Sequence, residues 1–182
     1  MNKKVLVLSA SPRKNGNSDL LCDSFIKGAA ESDNQTEKIF LQNKIIKNCI
    51  ACDICKNNGG NCIQKDDAAV ILEKMIQADI VVLATPVYFY SMNGQLKTLI
   101  DRTYSLYTEM KNKEFYFILT GAAPEKSYME TAVAGLDGFV SCVPDAKVSG
   151  IVYGVNTVEK GDVLQTYAMD EAYEMGKKIQ RR

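Results

Sequence analysis

The chain has 182 residues, 46% of them hydrophobic and 24% charged, with 22 basic and 22 acidic side chains and neither histidine nor tryptophan. This composition is typical of a globular protein and excludes disordered and collagen-like classes, and the zero net charge argues against a nucleic-acid partner. Without histidine there can be no Ser-His-Asp or Cys-His catalytic system and no HExxH zinc site, so any chemistry must come from a cofactor, cysteine, carboxylate, lysine or tyrosine.

Nothing in the sequence indicates a membrane segment or a secretion signal. No apolar stretch approaches the roughly 20 residues that span a bilayer, and the apolar run at residues 5–8 is too short for a signal peptide. We therefore expect a cytoplasmic protein without a membrane partner, whose cysteines are thiols or metal ligands rather than disulfides.

Short β-rich apolar runs alternate with amphipathic helical stretches along the whole chain. The predicted strands are residues 4–9, 36–41, 80–85, 114–120 and 147–154. The predicted helices lie near residues 18–30, 67–77, 94–103, 128–140 and 163–179. In the last helix Leu164, Ala168, Ala172, Met175 and Ile179 recur every three or four positions, which predicts one apolar face.

The strands themselves indicate how they pack. Three of them are unbroken hydrophobic runs, which is typical of parallel strands covered by helices on both faces. Five β-α repeats predict an α/β fold, a three-layer doubly wound sheet in one domain over residues 1–182, with a cysteine-rich loop inserted at 48–63. In such sheets ligands bind at the carboxyl ends of the strands, so the search for a site narrows to the loops after the first, third and fourth strands.

The loop after the first strand, residues 9–18, is rich in hydroxyl and cationic side chains and leads directly into a helix. A helix N-terminus favours an anion, and the hydroxyls with Arg13 would complete a phosphate site. The loop matches neither GxxxxGK[ST] nor GxGxxG, so a terminal monophosphate, as in FMN, suits it better than a triphosphate or dinucleotide. The alternative is an ordinary polar turn that ends in an N-cap serine.

The loop after the third strand, residues 85–97, contains the densest aromatic cluster of the chain: Tyr88, Phe89 and Tyr90. Aromatic side chains beside Asn93 and Gly94 would suit a flat ring that stacks against them. Alternatively, they cap the core or form a subunit interface.

The two loops together carry a resemblance to a known family. Ser-Ala-Ser-Pro-Arg…Gly-Asn-Ser at 9–18 and Thr-Pro-Val-Tyr…Gly-Gln-Leu-Lys-Thr-Leu-Ile-Asp-Arg at 85–102 resemble the NAD(P)H-dependent FMN reductase family, and within it the iron–sulfur flavoprotein branch. The similarity covers nearly the whole chain and includes Gly161-Asp162. It implies a flavodoxin-like fold, with a five-stranded parallel sheet of order 2-1-3-4-5 and FMN at the strand ends.

The resemblance also implies the site residues. The phosphate would be held by Ser9, Ser11, Arg13, Asn17 and Ser18. The isoalloxazine ring would be lined on one side by Pro86, Val87, Tyr88, Phe89, Ser91 and Asn93, and on the other by Thr120 and Gly121. No side chain is given a catalytic role, because FMN carries the chemistry. Lys97 and the pair Asp101-Arg102 are interpreted as structural, the pair as a surface ion pair.

Four cysteines fall in one loop, with the spacing Cys49-x2-Cys52-x2-Cys55-x6-Cys62. Closely spaced thiolates can converge on one centre, and an iron–sulfur cluster with four cysteine ligands is the sharpest interpretation. The resemblance favours a 4Fe-4S cluster at these residues, while structural zinc and a metal-free, redox-sensitive loop stay open. The two remaining cysteines, at 22 and 142, are predicted to be ordinary buried thiols.

The leading functional hypothesis is an FMN-dependent oxidoreductase that transfers reducing equivalents from NAD(P)H to an acceptor, a small molecule or a protein. One alternative is an iron–sulfur flavoprotein electron carrier fed by a ferredoxin-type protein. Another is a flavodoxin-like redox-binding module without a substrate of its own. The resemblance implies a homodimer or homotetramer, with the aromatic loop and the region after the cysteines as candidate interface surfaces.

Overall fold

Strands and helices alternate along the chain in three layers. The computed structural model describes residues 2–179, whose main elements are β1 (Lys4–Ser9), α1 (Asn17–Glu31), β2 (Gln35–Phe40), α2 (Ala68–Gln77), β3 (Ile80–Tyr88), β4 (Ser91–Met92), α3 (Gly94–Arg102), β5 (Glu114–Thr120), α4 (Glu130–Ser141), β6 (Lys147–Gly154) and α5 (Ala168–Lys177). Within this range no helix is both long enough and apolar enough to cross a membrane.

The central sheet has the strand order β2-β1-β3-β5-β6, and all its neighbours pair in parallel. The two-residue strand β4 lies off this path and pairs antiparallel with the end of β3. Without that small hairpin the order is 2-1-3-4-5, so the predicted flavodoxin-like topology is confirmed. The order reverses beside β1, which places the topological switch point between β1 and β3.

Side chains that alternate along the strands build a core on each face of the sheet. On one face, Leu6, Leu8, Val81, Leu83 and Phe117 pack with α2, α3 and α4. On the other face, α1 and α5 pack against strand residues that include Val5, Val7, Ile80, Val82 and Ile118. Burial on both faces explains why these strands read as unbroken apolar runs.

The helices α1 and α5 touch through their backbones. A Cβ atom at Gly28 of α1 would lie 2.0 Å from the carbonyl oxygen of Tyr173. One at Gly176 of α5 would lie 2.1 Å from the carbonyl oxygen of Phe25. Glycine is therefore needed at both positions for this crossing.

The predicted start of the last helix is wrong. Residues Asp162–Gln165 form a 3₁₀ turn, Thr166 is extended (φ −116°, ψ 156°), and α5 begins only at Ala168. The Asp162 carboxylate accepts the backbone N–H groups of residues 158 and 159, and this favours a turn in place of the helix. Leu164, predicted to belong to the apolar face, is exposed.

Candidate functional site

A cleft of about 210 Å³ opens at the carboxyl ends of β1, β3 and β5, beside the switch point. It brings together nine of the residues predicted for a cofactor: Ser11, Arg13, Asn17, Ser18, Pro86, Val87, Tyr88, Thr120 and Gly121. Four further residues line it that the sequence analysis did not select: Pro12, Ala122, Thr157 and Val158. The two sequence motifs therefore meet in one place.

The loop between β1 and α1 curls tightly in front of the helix. Ser11 Oγ donates to the carbonyl oxygen of Arg13 at 2.8 Å, and that oxygen also accepts the Gly16 N–H at 2.9 Å. A Cβ at Gly16 would lie 2.6 Å from Ser11 Oγ, so the loop closes only around a glycine. Gly16 is also the N-cap of α1 and has no capping side chain. The first N–H groups of the helix therefore have no capping side chain, and because Asn17 and Ser18 line the cleft, these groups are available there as anion donors.

Three side chains hold this loop against neighbouring segments. Asn17 Oδ1 accepts the N–H groups of Gly161 at 3.0 Å and Val163 at 3.3 Å. The hydroxyls of Ser18 and Thr120 share a hydrogen bond of 2.8 Å. Asn17 and Ser18 thus line the cleft and at the same time tie α1 to the segment after β6 and to the last residue of β5. The bond to the backbone of Gly161 places the Gly161-Asp162 segment against the loop motif.

Ser9 lies below the cleft. It is fully buried and donates its hydroxyl hydrogen to Asp19 Oδ1 at 2.9 Å. The sequence analysis missed Asp19, although an acidic residue three positions after the N-cap is a recognised feature of a helix start. Ser9 therefore supports the loop from beneath, through Asp19.

The opposite wall of the cleft comes from the ends of β5 and β6. The Gly121 N–H donates to the carbonyl oxygen of Gly154 at 3.0 Å and to Thr157 Oγ1 at 3.1 Å. The Thr157 hydroxyl also donates to the Gly154 carbonyl oxygen, at 2.9 Å. Thr157 was not predicted from the sequence because only the loops after the first, third and fourth strands were considered. Its position just after the carboxyl end of a parallel strand could have identified it as a candidate.

The aromatic cluster forms the tip of the β3–β4 hairpin. Phe89 and Tyr90 are its two central residues, with φ of +48° and +63°. Two positive φ values define a type I′ turn, which favours Asn-Gly and strains bulky side chains. Phe89 is 99% exposed and Ser91 is also exposed, so both project outside the cleft. Only Tyr88, at the base of the tip, lines the cleft.

Asn93 anchors the hairpin from within. Its backbone N–H donates to Thr85 Oγ1 at 3.0 Å, and its side-chain amide donates to the carbonyl oxygen of Ala10. Its Oδ1 accepts the N–H of Leu96 at 3.1 Å and caps α3. The buried Asn93 thus joins the two motif-bearing loops, and its polar atoms are taken up by these bonds.

The cysteine-rich loop, residues 48–63, is closed at its base. The Asp67 N–H donates to the carbonyl oxygen of Ile45 at 3.0 Å, and the Asp67 carboxylate accepts the Ile45 N–H at 2.7 Å. The Lys47 N–H donates to Asp66 Oδ2 at 2.9 Å. We call these four residues, Ile45, Lys47, Asp66 and Asp67, the neck. The chain enters and leaves the loop through this one bonded junction.

Arg102, at the end of α3, clamps the neck. It donates to both oxygens of Asp66, at 2.6 Å and 3.1 Å, and to the carbonyl oxygen of Lys47 at 2.8 Å. The two side chains are only 2% and 1% exposed, so the prediction of a surface pair between Arg102 and Asp101 is wrong. Asp101 instead accepts from Lys97 at 2.6 Å on the exposed side of α3.

The buried pair shifts the acid–base behaviour of Asp66. Burial alone would raise the pKa of its carboxyl group, but hydrogen bonds from Arg102 and from the N–H groups of Lys47 and Ala68 lower the pKa below its ordinary value. The carboxylate is therefore charged in the folded protein at neutral pH.

The four thiols of the loop do not converge in this structure. Cys49 and Cys52 are exposed, and Cys55 and Cys62 are half-buried. Between residues 2 and 179 no group of three or more His, Cys, Asp or Glu side chains is placed to hold a metal ion. As arranged here, the loop fits neither an iron–sulfur cluster nor zinc, and metal binding by these cysteines stays a prediction.

The two cysteines outside the loop differ from each other. Cys22 is fully buried as predicted, and burial raises the pKa of its thiol far above the ordinary value. Cys142 is exposed, so its predicted burial is wrong. The residue directly follows α4, where the chain turns towards β6 at the surface.

Comparison with known proteins gives the following relatives. A family model described as NADPH-dependent FMN reductase matches residues 3–145. An iron-sulfur flavoprotein of Methanocaldococcus jannaschii is 37% identical over 138 residues, 75% of this chain and 70% of that protein. An iron-sulfur flavoprotein of Methanosarcina thermophila is 34% identical over 113 residues, 60% of this chain and 59% of that protein. The chain spans about half the length of several further curated relatives that it matches.

A solved structure supports the architecture. The structure of an FMN-dependent NADH-azoreductase from Bacillus anthracis in complex with FMN matches with a TM-score of 0.74 over 100% of both chains. At 17% identity this likeness concerns the fold alone.

Proposed function

The chain belongs to the NADPH-dependent FMN reductase family, and we propose that it is an FMN oxidoreductase that takes reducing equivalents from NAD(P)H and passes them to an electron acceptor. The observation that carries this proposal is the cleft at the switch point. It combines an uncapped helix N-terminus, Ser11 and Arg13 on one side with the ends of β3 and β5 on the other. This donor set suits a phosphate monoester attached to a larger ligand.

Different residues would contact the phosphate and the ring of FMN. The phosphate of FMN would be held by Ser11, Arg13 and the first N–H groups of α1. Pro86, Val87 and Tyr88 would contact one side of the ring, and residues 120–121 the other. When bound, FMN supplies the hydride and electron transfer, and the protein binds and orients it.

The cleft is smaller than a whole flavin site. Its enclosed volume of about 210 Å³ lies below the roughly 300 Å³ at which small-molecule sites usually begin. We therefore assign the enclosed part to the phosphate end of FMN, with the ring partly outside it against the half-exposed Tyr88. Because the Gly121 N–H already bonds within the protein, it serves to shape the wall rather than to donate to the ring.

Two measurements test the proposal. Flavin-free protein is titrated with FMN and with riboflavin, followed by flavin fluorescence, and the loaded protein is then assayed for NADH and NADPH oxidation with dioxygen, a quinone and ferricyanide each supplied as electron acceptor. We expect FMN to bind more tightly than riboflavin and at least one nicotinamide to be oxidised. Failure to bind FMN, or no turnover with either nicotinamide, would refute the proposed activity. Binding without turnover would favour the flavodoxin-like module without its own substrate.

A second candidate function is that of an iron–sulfur flavoprotein electron carrier supplied by a ferredoxin-type donor. Its support is the spacing of Cys49, Cys52, Cys55 and Cys62 in one loop and the names of the relatives described above. The thiols as arranged here do not fit a cluster, so we derive no step through one. Iron and acid-labile sulfide are measured on anaerobically purified protein. Four of each per chain would support a 4Fe-4S cluster, and values near zero would reject it.

We also propose that the protein is a homodimer or a homotetramer. The exposed hairpin tip, Phe89 and Tyr90, supports this proposal because large aromatic side chains are enriched at subunit contacts. Light scattering of the purified protein measures the mass directly, and a monomer at micromolar concentration would overturn the proposal. Replacing both aromatics by serine should lower the mass if the tip is the contact.

A further inference from the structure

Beneath the loop between β1 and α1, the partly exposed Lys38 pairs with the buried Asp19, and neither residue lines the cleft. We propose that Lys38 is a positioning residue of the FMN site, which neutralises Asp19 and thereby lets the loop accept the phosphate. The inference rests on the proposed function, because it concerns the same site. Lys38 does not line the cleft and acts through Asp19.

Asp19 shapes the loop. It is the third residue of α1 and is 2% exposed. Its Oδ1 accepts the hydroxyl hydrogen of Ser9 at 2.9 Å, and its Oδ2 accepts the backbone N–H of Asn15 at 2.9 Å. Asn15 has φ of +56°, a left-handed conformation that asparagine adopts more readily than most residues and that this bond stabilises further. The carboxylate thus holds the bend that turns the loop around the helix N-terminus.

The same carboxylate opposes the ligand. A phosphate monoester carries about −1.5 to −2 charges at neutral pH, and it would bind at the helix end where Asp19 already places a negative charge. Like charges repel each other, and in a partly buried site water screens this repulsion poorly. An unneutralised Asp19 would therefore weaken phosphate binding while it shapes the loop.

Lys38 supplies the missing positive charge. It projects from β2, next to β1, and its Nζ lies 3.1 Å from Asp19 Oδ1. The same Nζ also contacts the Asp23 carboxylate one turn further along α1. Burial alone would lower the pKa of Lys38, but the two carboxylates raise it above the ordinary value, so the ammonium is charged. Lys38 thus offsets the charge of Asp19 from the side away from the cleft.

Dissociation constants for FMN and for riboflavin, which lacks the phosphate, test this role. In Lys38→Met we expect FMN to bind on the order of tenfold more weakly, the scale of one partly screened charge in a protein, with riboflavin binding unchanged. The double variant Asp19→Asn/Lys38→Met should recover most of the FMN affinity, because asparagine removes the charge while its amide oxygen can still accept the Asn15 N–H and its amide nitrogen can donate to the Ser9 hydroxyl oxygen. Lys38→Arg should bind FMN like the wild type.

Lys74→Met is the matched control. Lys74 pairs with Glu37 at 2.6 Å at the same edge of the sheet, away from the cleft, and its loss should leave both affinities unchanged. If Lys38→Met weakens the binding of FMN and of riboflavin equally, its role is merely structural and the inference is overturned. An FMN dissociation constant equal to that of the wild type would overturn it as well. If Lys38→Met fails to fold, the double variant decides, because an FMN loss there that riboflavin does not share contradicts the role of charge. A wild-type protein that binds FMN no better than riboflavin refutes the proposed phosphate site itself.

Discussion

Gly28 lies where α1 and α5 touch, and replacing it by alanine is expected to push the two helices apart. The added Cβ would lie 2.0 Å from the carbonyl oxygen of Tyr173, whereas ordinary contact begins at 3.4 Å. The obstacle is a backbone atom, so no side-chain rotation relieves the clash. The separation of α1 and α5 must therefore grow by more than about 1 Å, which loosens the packing of Phe25 and Ala172 between the helices and the sheet.

Overpacking of a dense core costs about 1–3 kcal/mol, and a backbone clash belongs at the upper end. We therefore expect Gly28→Ala to lower the free energy of unfolding by about 3 kcal/mol, which corresponds to a Tm lower by about 6–12 °C for a chain of this size.

Urea unfolding of flavin-free protein, followed by circular dichroism, measures this loss without the stabilisation that a bound ligand adds. The control is Gly138→Ala in α4, where the added Cβ meets nothing within 4 Å. There alanine should stabilise the helix by about 0.5–1 kcal/mol. Gly28→Ala protein as stable as this control would refute the close contact of the two backbones.

Four further outcomes are expected. Arg102→Met leaves Asp66 buried without its counter-charge and should cost about 3–5 kcal/mol in urea unfolding. Because the folded pKa of Asp66 is lowered, the stabilisation is complete above about pH 4 and is lost as the pH falls through the lowered value; Asp66→Asn should flatten this part of the acid profile. Cys22, buried and with a raised pKa, should resist alkylation in the native protein while exposed thiols react; mass spectrometry would reveal a modified Cys22 and contradict this. Phe89→Asn with Tyr90→Gly should unfold with a free energy about 1–2 kcal/mol higher than the double serine variant, because both lack the exposed aromatics but only the former gives the strained turn its preferred residues; an equal Tm for the two variants would argue against strain.

The sheet could be predicted because burial on both faces marks its strands plainly. The bounds predicted for β1, β5 and β6 agree with the structure residue for residue. The last helix could not be placed as well, because the 3.6-residue spacing from Leu164 continues through a segment that local hydrogen bonds to Asp162 turn away from helix. Periodicity reports which residues could share a face, and capping groups decide where the helix begins.

The position of the cleft could be predicted from the sequence, but only part of its geometry could. Its two motifs lie on loops that a parallel sheet brings to one edge, so their meeting followed from the topology. Contacts between distant residues did not follow. Nothing in the sequence shows that Arg102 selects Asp66, 36 residues away, over the adjacent Asp101. Likewise, the pairing of Lys38 with Asp19 depends on the registry of β2 beside β1.

The neck makes the cysteine loop an independent unit of local unfolding. Its two sides are bonded to each other and to Arg102, so residues 49–62 can open without disturbing the sheet. Amide hydrogen exchange should therefore be faster in the loop than in β1 and β3, and oxidation or ligation of its thiols should change the protection of the loop and of residues 102–104, which Cys62 and Asp53 contact, but not that of the sheet. Insertions beyond the neck also cost little, since doubling the length of a flexible loop adds only about 0.6 kcal/mol of closure entropy. The neck thus allows the length and chemistry of the segment it closes to change at little cost to the stability of the sheet.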